Sequence, residues 1–372
     1  MEFWKSAVEN MGMNKNFWQG KKVFITGHTG FKGGWLVTWL KLLGASVTGY
    51  ALPPEAQPNL FELAHVADGI TSIYDDILNI AHLSQAIKNQ RPDVVFHLAA
   101  QPLVHYSYTN PVETYNVNVM GTVNLLEAVR SIDSIRAIVI VTSDKCYENK
   151  EWLWGYRETD PMGGFDPYSS SKGCVELIVS AYRRSYFNPL HYDQHGVGLA
   201  SVRAGNVLGG GDWAKDRLVP DLVRSFTNKE EAIIRNPLAY RPWQYILDLL
   251  CGYLKLTENL CDKGVSFADA WNFGPSEDNV KPVAWIADKV ASLWVGDAKW
   301  SCGQNKFVHK EAMGLRLDCN KARALLGWEP KMTLTCTLEN TLKWYQAHYC
   351  NKDMQKFTKQ QIMEYENKER HP

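Results

Sequence analysis

The 372-residue sequence has no long hydrophobic run, no excess of one charge and no closely spaced cysteine pair. Its longest purely apolar stretches, such as residues 137–141, have the length of a strand, far below the roughly 18 residues of a membrane span. Forty lysines and arginines balance forty acids, so the zero formal charge provides no basic field that would predict nucleic acid as a partner. Residues 1–20 carry charges and lack the apolar core of a signal peptide. We therefore expect a cytoplasmic protein that neither crosses a membrane nor binds nucleic acid.

None of the eight cysteines belongs to a C-x-x-C motif, and the chain is large enough to fold without disulfides. Free thiols in a reducing compartment are therefore expected. His191 and His195 have a spacing that metal ligands can have, but Asn188, Pro189 and Gly196 around them predict a surface loop. We expect no metal site.

The first half of the sequence contains an alternation of strand and helix patterns. Short apolar runs predict strands at residues 22–26, 46–50, 93–98, 135–142 and 197–202. Helical patterns are found at residues 35–43, 79–89, 111–131 and 167–187. Continuous apolar runs are typical of strands that are buried on both faces. The alternation predicts an α/β fold with a doubly wound parallel sheet, the Rossmann arrangement.

The pattern changes after about residue 205, where glycines and prolines interrupt it. Helices are predicted near residues 217–227, 244–261, 283–294, 319–326 and 336–348. We expect a Rossmann domain mainly over residues 1–205 and a smaller lobe mainly over residues 206–350, with segments such as 240–273 returning to the first domain. The polar tail, residues 351–372, is expected to form one short helix near 358–367 or to be loose.

A glycine-rich turn follows the first predicted strand and opens the next helix. Its G-x-x-G-x-x-G pattern lets backbone N–H groups approach a pyrophosphate at the helix N-terminus, because glycine has no Cβ. The position between strand and helix favours dinucleotide binding over a tight turn without a ligand. The candidate cofactor-binding residues of this turn are Gly27, His28, Gly30, Phe31, Lys32 and Gly33.

One expected part of a dinucleotide site is missing. Residues 49–54 contain neither an acid for the adenosine ribose nor an arginine for a 2′-phosphate. We therefore predict NAD rather than NADP, with weak anchoring of the ribose. Asp76 is placed to flank the adenine, with a solvated loop acid as the alternative. The further cofactor candidates stand at the ends of later strands: Asp76, Ile77, Leu98, Ala99, Ala100 and Thr142.

Tyr168 and Lys172 form a Y-x-x-x-K motif directly after Pro167. Their spacing places both side chains on one helix face. The ammonium is expected to lower the pKa of the phenol, which would make Tyr168 a base near neutral pH. Lys172 can also bind the nicotinamide ribose. Downstream of a glycine turn, this motif predicts a site of hydride transfer.

A polar group ends the predicted fifth strand, at the edge where parallel sheets bind ligands. Ser143, with Thr142 as an alternative, supplies a hydroxyl for the substrate oxygen that Tyr168 deprotonates. Asp144 and Lys145 follow with an acid and a potential base. The alternative interpretation is a solvated turn at the end of the strand.

These motifs resemble those of the extended short-chain dehydrogenase/reductases that act on nucleotide sugars. The resemblance covers nearly the whole chain and includes residues 97–100, 118–122, 203–207, 241–243 and 326–330. In that family the 4-epimerases carry small residues after the strand-five hydroxyl, whereas the 4,6-dehydratases carry an acid–base pair. Asp144 and Lys145 therefore imply a dehydratase, although most dehydratases have a glutamate in place of Lys145. The strings at residues 27–33 and 143–149 imply CDP-glucose as the substrate.

The resemblance implies a role for each polar group. Tyr168 and Ser143 act on the C4 hydroxyl while hydride passes to NAD. Lys145, if neutral, removes the C5 proton. Asp144, held protonated, gives its proton to the leaving C6 hydroxyl, and hydride then returns to C6.

The resemblance also implies partners. Asn206, Arg235 and Arg241 are candidates for the substrate diphosphate, with surface salt bridges as the alternative for the arginines. A homodimer is implied, formed through a bundle of the helices at 111–131 and 167–187, and so is a place in deoxysugar biosynthesis for lipopolysaccharide O-antigen. The alternatives are another 4,6-dehydratase that acts on dTDP-glucose or GDP-mannose, a 4-epimerase, and a non-catalytic NAD(H)-binding protein.

Overall fold

The computed structural model describes residues 13–54, 57–303 and 313–368. Residues 1–12 of the charged N-terminal stretch and residues 369–372 of the tail lie outside this description. The strands are β1 (Lys22–Thr26), β2 (Ser46–Ala51), β3 (Thr71–Tyr74), β4 (Val94–His97), β5 (Ala137–Val141), β6 (Gly198–Ala204), β7 (Asn206–Leu208), β8 (Ala232–Ile234), β9 (Tyr240–Tyr245), β10 (Ala270–Phe273), β11 (Val280–Pro282) and β12 (Trp300–Cys302). The α-helices are α1 (Lys15–Trp18), α2 (Phe31–Leu42), α3 (Leu60–Leu63), α4 (Ile80–Gln90), α5 (Val104–Thr109), α6 (Pro111–Tyr115), α7 (Gly121–Arg130), α8 (Pro167–Ser185), α9 (Tyr192–His195), α10 (Leu218–Thr227), α11 (Ile246–Lys263), α12 (Val283–Leu293), α13 (Asn320–Leu326), α14 (Leu334–Tyr349) and α15 (Met354–Asn367).

Seven parallel strands form the central sheet in the order β10-β6-β5-β4-β1-β2-β3. The strand order reverses between β1 and β4, which is where ligands bind in sheets of this kind. Every residue of β5 is buried, because successive side chains enter cores on opposite faces: Val139 packs into one core, and Ile138 and Ile140 pack into the other. The predicted doubly wound parallel sheet is confirmed.

The second half of the chain builds two small sheets and returns one strand to the large sheet. β9 pairs with β7 and β11, and β8 pairs with β12. β10 lies beside β6 at the edge of the central sheet, within the 240–273 segment that the sequence suggested for such a return.

The C-terminal tail forms a packed helix, α15, which begins at Met354 rather than near residue 358. Trp39 on α2 donates a 2.8 Å hydrogen bond to Glu366. Tyr365 donates another of 2.8 Å to the buried carboxylate of Asp248 on α11. These contacts hold the tail against both helices and exclude the loose alternative.

One local prediction was incomplete and another was wrong. The helix expected at residues 111–131 is present from Pro111 to Arg130, but it contains a π-helical segment, Asn116–Met120, between α6 and α7. The segment around His191 and His195 is not a loop but two short helical turns, and both ring nitrogens of His195 are hydrogen-bonded to the backbone. Within the described ranges, no helix combines the length and the hydrophobicity that a membrane span requires.

Candidate active site

The glycine turn lies between β1 and α2, at the reversal of strand order. A Cβ on Gly27 would lie 2.6 Å from the amide nitrogen of Ala99, and a Cβ on Gly33 would lie 2.1 Å from the carbonyl oxygen of Gly27. Gly27 also has a positive φ of 76°, which favours glycine. The turn is therefore pressed against the end of β4, while the first N–H groups of α2 remain available for an anion.

A buried hydrogen-bond chain fixes the end of β4 beside this turn. Thr26 accepts hydrogen bonds of 3.2 Å from the N–H groups of Leu98 and Ala99. The same hydroxyl shares a 2.7 Å hydrogen bond with Nδ1 of His97. Burial lowers the pKa of His97 to about 3, so this imidazole is neutral at physiological pH. Leu98 and Ala99 thus border the turn. The predicted contact of residues 98–100 with a cofactor stays a prediction.

The adenosine side of the site contains a buried imidazole where a ribose-binding acid is absent. His28 shares a 2.6 Å hydrogen bond with the hydroxyl of Ser72, and burial lowers its pKa to about 4. A Cβ at Gly49 would lie 2.2 Å from the His28 ring. The carboxylate of Asp76 accepts a hydrogen bond from the N–H of Leu78, so it closes a local turn after β3.

Lys32 extends from the glycine turn toward the catalytic candidates. Burial and, to a smaller extent, the charge of Arg217 lower its pKa to about 8, while the charges of Asp144 and Asp212 oppose this shift. These electrostatic interactions indicate that the glycine turn and the polar end of β5 belong to one site.

The helix that carries the Y-x-x-x-K motif, α8, begins with strong local signals. Asp166 caps it by accepting a 2.9 Å hydrogen bond from the N–H of Ser169, and Pro167 occupies its first turn. Lys172 donates a 3.3 Å hydrogen bond to the carbonyl oxygen of Val141, the last residue of β5. Tyr168 is buried one turn earlier, on the same face of the helix.

The polar residues after β5 form a short 3₁₀ turn, residues 144–146, with Ser143 as its N-cap. The hydroxyl of Ser143 donates a 3.0 Å hydrogen bond to Asp144 and accepts one of 3.2 Å from the N–H of Lys145. Asp144 is buried and Lys145 is half-buried. A Cβ on Gly205 would lie 3.0 Å from a carboxylate oxygen of Asp144, so the chain after β6 closes over this acid.

Electrostatics distinguish the groups of this site. Burial raises the pKa of Asp144, against the opposing effects of Lys145, Ser143, Lys32 and Arg241, which favours the protonated acid. Burial also raises the pKa of Tyr168 to about 12, although Ser143 and Arg217 oppose this shift.

The expected lowering of the Tyr168 pKa is therefore wrong. The physical reason is that the cost of burying a phenolate exceeds the stabilisation by its neighbours, and the nearby carboxyl of Asp144 adds to that cost. The pKa of Lys172 is lowered to about 8, first by burial and then by the charge of Lys32.

Thr142 and Asn206 are two further residues that the sequence predicted for the site. Thr142 donates its hydroxyl to Glu176 at 2.5 Å, which leaves Ser143 as the hydroxyl that faces the site. Asn206 on β7 pairs with Trp243 on β9, the strand that also carries Arg241.

The two predicted arginines differ in their surroundings. The positive charge of Arg241 interacts with the carboxyl of Asp144 and opposes the rise of its pKa. Arg235 pairs with Asp216 at 2.8 Å and contacts His105 at 3.0 Å, so it joins the end of β8 to α5.

Sequence reasoning missed Arg217, which precedes α10. It pairs with Asp212 at 2.7 Å, and its positive charge opposes the rise of the Tyr168 pKa that burial causes. No motif identifies this arginine, because its neighbours in the sequence are distant from the Y-x-x-x-K helix. Only the folded chain brings the two together.

Comparison with known proteins gives matches that cover most of the chain. The family model described as GDP-mannose 4,6 dehydratase matches residues 24–341. The chain is 54% identical, over 95% of its own length and 98% of the relative's, to a CDP-glucose 4,6-dehydratase of Salmonella typhimurium. It is 26% identical to a GDP-mannose 4,6-dehydratase of Vibrio cholerae, with 84% of this chain and 91% of that protein covered.

Solved structures show the same fold at low sequence identity. A dTDP-glucose 4,6-dehydratase of Bacillus anthracis, in complex with NAD, superimposes with a TM-score of 0.71 at 21% identity, covering 90% of this chain and all of that one. A UDP-glucuronic acid 4-epimerase of Bacillus cereus, in complex with UDP-glucuronic acid and NAD, gives a TM-score of 0.75 at 23% identity and covers 88% of this chain and all of the other.

Proposed function

Because this chain belongs to the family of nucleotide-sugar 4,6-dehydratases, we propose that it removes water from CDP-glucose to give CDP-4-keto-6-deoxyglucose. The observation that carries this proposal is the turn after β5, where the buried acid Asp144 lies beside Lys145 and close to Tyr168. A 4-epimerase needs hydride transfer at C4 alone. Elimination of water also needs a proton donor and a proton acceptor, which this turn supplies.

We propose NAD as the cofactor, with its pyrophosphate at the N-terminus of α2. The turn fits this group, because Gly27 and Gly33 have no room for a Cβ and the helix N-terminus favours an anion. When bound, NAD would supply the hydride acceptor for C4 and, once reduced, the hydride donor for C6. The turn residues, Asp76, Ile77 and residues 98–100 would contact it, and Lys172 would bind its nicotinamide ribose.

The oxidation step uses Tyr168 and Ser143. Tyr168, in its phenolate form, takes the proton of the C4 hydroxyl, and Ser143 hydrogen-bonds the same oxygen. Since burial raises the pKa of Tyr168, the phenolate must be stabilised when it forms. The hydrogen bond with Ser143 and the positive charge of Arg217 both act in that direction.

The elimination step uses Asp144 and Lys145. The C4 ketone acidifies the C5–H bond, and Lys145 takes that proton. Asp144 gives its proton to the C6 hydroxyl, which leaves as water. Burial raises the pKa of Asp144 and so favours the protonated form that this step requires. The substrate loses one water without net oxidation, because the hydride taken from C4 is returned at C6 and a proton is returned at C5.

We propose that the nucleotide sugar is held mainly by residues 206–350 and NAD mainly by residues 1–205. Arg241 and Asn206 lie on neighbouring strands, and the charge of Arg241 acts on Asp144. Both side chains would bind the diphosphate. Arg235 already has Asp216 and His105 as partners, so its contact with the substrate would require their rearrangement.

We also propose a homodimer formed through α6, α7 and α8. Three apolar side chains on these helices and the π-helical segment between them are strongly exposed: Val112 at 73%, Met120 at 47% and Leu177 at 61%. Apolar surface of this kind commonly marks a protein–protein interface. Light scattering should give the mass of a dimer, and a stable monomer at micromolar concentration would contradict the proposal.

A cytoplasmic location and a role in O-antigen deoxysugar synthesis complete the proposal. All eight cysteines are free thiols in the structure, as in a reducing compartment. Cell fractionation would test the location, and loss of deoxysugars from the lipopolysaccharide after gene deletion would test the role.

The decisive experiment compares nucleotide sugars. The purified protein with NAD is incubated separately with CDP-glucose, dTDP-glucose, GDP-mannose and UDP-glucose, and mass spectrometry detects loss of water. CDP-glucose should give the highest kcat/KM. Dehydration of dTDP-glucose or GDP-mannose alone would favour another dehydratase, and a C4 epimer without loss of water would favour an epimerase. Binding of NAD without any turnover would indicate a non-catalytic protein.

A further inference from the structure

A buried carboxylate that the proposed reaction does not use lies on the catalytic helix. Glu176 on α8 follows Lys172 by one turn, and its side chain is only 3% exposed. It accepts hydrogen bonds from Thr142 at 2.5 Å, from Ser201 at 2.7 Å and from Arg203 at 2.8 Å. Three donors on β6 and at the end of β5 therefore converge on one side chain of α8.

Its partner, Arg203, reaches in the other direction. The guanidinium donates to the hydroxyl of Tyr147 at 2.7 Å and to the carbonyl oxygen of Glu158 at 3.0 Å. It also lies over the Tyr147 ring, 4.9 Å from the ring centroid. The Tyr147 hydroxyl in turn donates to Asn272 on β10 at 2.7 Å.

These contacts hold the acid–base turn from both sides. Thr142 directly precedes residues 143–146, and Tyr147 directly follows them. Glu176 binds the first flank, and Arg203 binds the second. The ion pair therefore connects both ends of the turn to α8, the helix that carries Tyr168 and Lys172.

The energetics of a buried ion pair favour a role in orienting the neighbouring groups over a role in stabilising the fold. Removing two charges from water costs free energy that their attraction often does not recover, and apolar replacements of buried pairs can be neutral or stabilising. Directional hydrogen bonds, however, orient neighbouring groups in a way that apolar packing does not.

We propose that Glu176 and Arg203 are positioning residues that set the acid–base turn against the catalytic helix. Both proton-transfer groups of the elimination lie on this turn, whereas the base of the oxidation, Tyr168, lies on α8. Elimination therefore depends on the pair more than oxidation does, and oxidation is affected only through Ser143. Tyr168 and Lys172 remain on α8 when the pair is weakened. Thr142 and Tyr147, which flank the turn, then lose the hydrogen bonds that connect them to that helix. This inference rests on the proposed dehydration and deepens it.

The test measures the two steps separately in Glu176→Gln, in the double variant Glu176→Gln/Arg203→Met and in Tyr147→Phe. Formation of reduced nicotinamide after mixing with CDP-glucose reports oxidation, and release of the 4-keto product reports the whole reaction. We expect product formation to fall about 10- to 100-fold in the first two variants. Oxidation should fall less than about threefold, so reduced cofactor accumulates.

Two of these variants protect the test against loss of the fold. The double variant removes both charges, so it leaves no unpaired buried ion. Tyr147→Phe removes a single hydroxyl and should shift the balance in the same direction by a smaller factor.

Arg183→Gln is the matched control. Arg183 lies on the same helix and donates a 2.9 Å hydrogen bond to Leu199 of β6, but it contacts neither flank of the turn. Its two rates should keep the wild-type ratio. Folded variants that keep this ratio, whether both rates are unchanged or fall equally, would overturn the positioning role. Absence of dehydration by the wild-type protein would instead refute the proposed function.

Discussion

Replacing Asp144 with asparagine tests the proposed elimination directly, because the change removes an acidic proton and little else. Asparagine has nearly the same size and keeps an oxygen that can accept the 3.0 Å hydrogen bond from Ser143. It cannot give a proton to the C6 hydroxyl. Loss of a general acid costs about 10²- to 10⁴-fold in rate, which corresponds to about 2.7 to 5.5 kcal/mol in the barrier.

The structure assigns this cost to catalysis rather than to stability. Burial raises the pKa of Asp144 in the folded protein, so ionisation of this carboxyl disfavours the folded state. The wild-type protein therefore loses stability as the pH rises through that raised pKa. The asparagine variant has no such loss, and its melting temperature near neutral pH should equal or exceed that of the wild type.

The assay mixes the variant with NAD and CDP-glucose and records reduced nicotinamide and product in parallel. Tyr168 and Lys172 are unchanged, so reduced nicotinamide should form at nearly the wild-type rate and then persist while product lags. Turnover at the wild-type rate would show that Asp144 is not the acid, and the interpretation of residues 144–145 as a solvated turn would stand. Equal loss of both steps would also contradict the assignment.

Four further outcomes are expected. Tyr168→Phe should lower the rate at which reduced nicotinamide forms by at least about 10²-fold, because it removes the base of the oxidation step. Oxidation by this variant at the wild-type rate would argue against that role. Lys145→Met should abolish incorporation of solvent deuterium at C5, measured by NMR of all nucleotide sugar recovered from the reaction; retained incorporation would point to another base. Activity of the purified protein should rise when NAD is added. The adenosine side of the site carries the neutral imidazole of His28 and lacks an acid that would bind the ribose, so NAD should be held weakly. A stoichiometric amount of bound cofactor, with no response to added NAD, would refute weak binding. Tyr365→Phe should reduce the free energy of unfolding by about 1.5 to 3 kcal/mol in urea titrations, since it removes a hydrogen bond to the buried Asp248; an unchanged midpoint would show that the bond contributes nothing.

The parts of the fold that depend on long apolar runs were predictable. The expected strand at residues 22–26 coincides with β1, and the strand at 135–142 contains β5. β3 was not delimited because its four residues, Thr-Ser-Ile-Tyr, form a half-buried edge strand without an apolar run. Three-residue strands such as β7 are set by tertiary pairing, which local sequence does not specify.

The candidate site was predictable where it depends on spacing and not where it depends on burial. The four-residue spacing between Tyr168 and Lys172 places them on one face whatever surrounds the helix. The direction of the Tyr168 pKa shift could not be derived in this way, because it results from competition between burial and several neighbours from distant elements. The electrostatic interaction between Lys32 and Asp144 has the same origin.

Glu176 shows how far spacing can be extended once the fold is known. It follows Lys172 by four residues, so it continues the helix face that carries Tyr168 and that packs on β5 and β6. A carboxylate on a face of this kind is costly unless a donor or a cation meets it. β5 contains no basic residue, and Arg203 is the basic residue of β6, so fold and composition together identify the pair. What they do not identify is the second contact of Arg203, with Tyr147. That contact depends on the path of the turn after β5, and the pair acts on the acid–base residues through this turn.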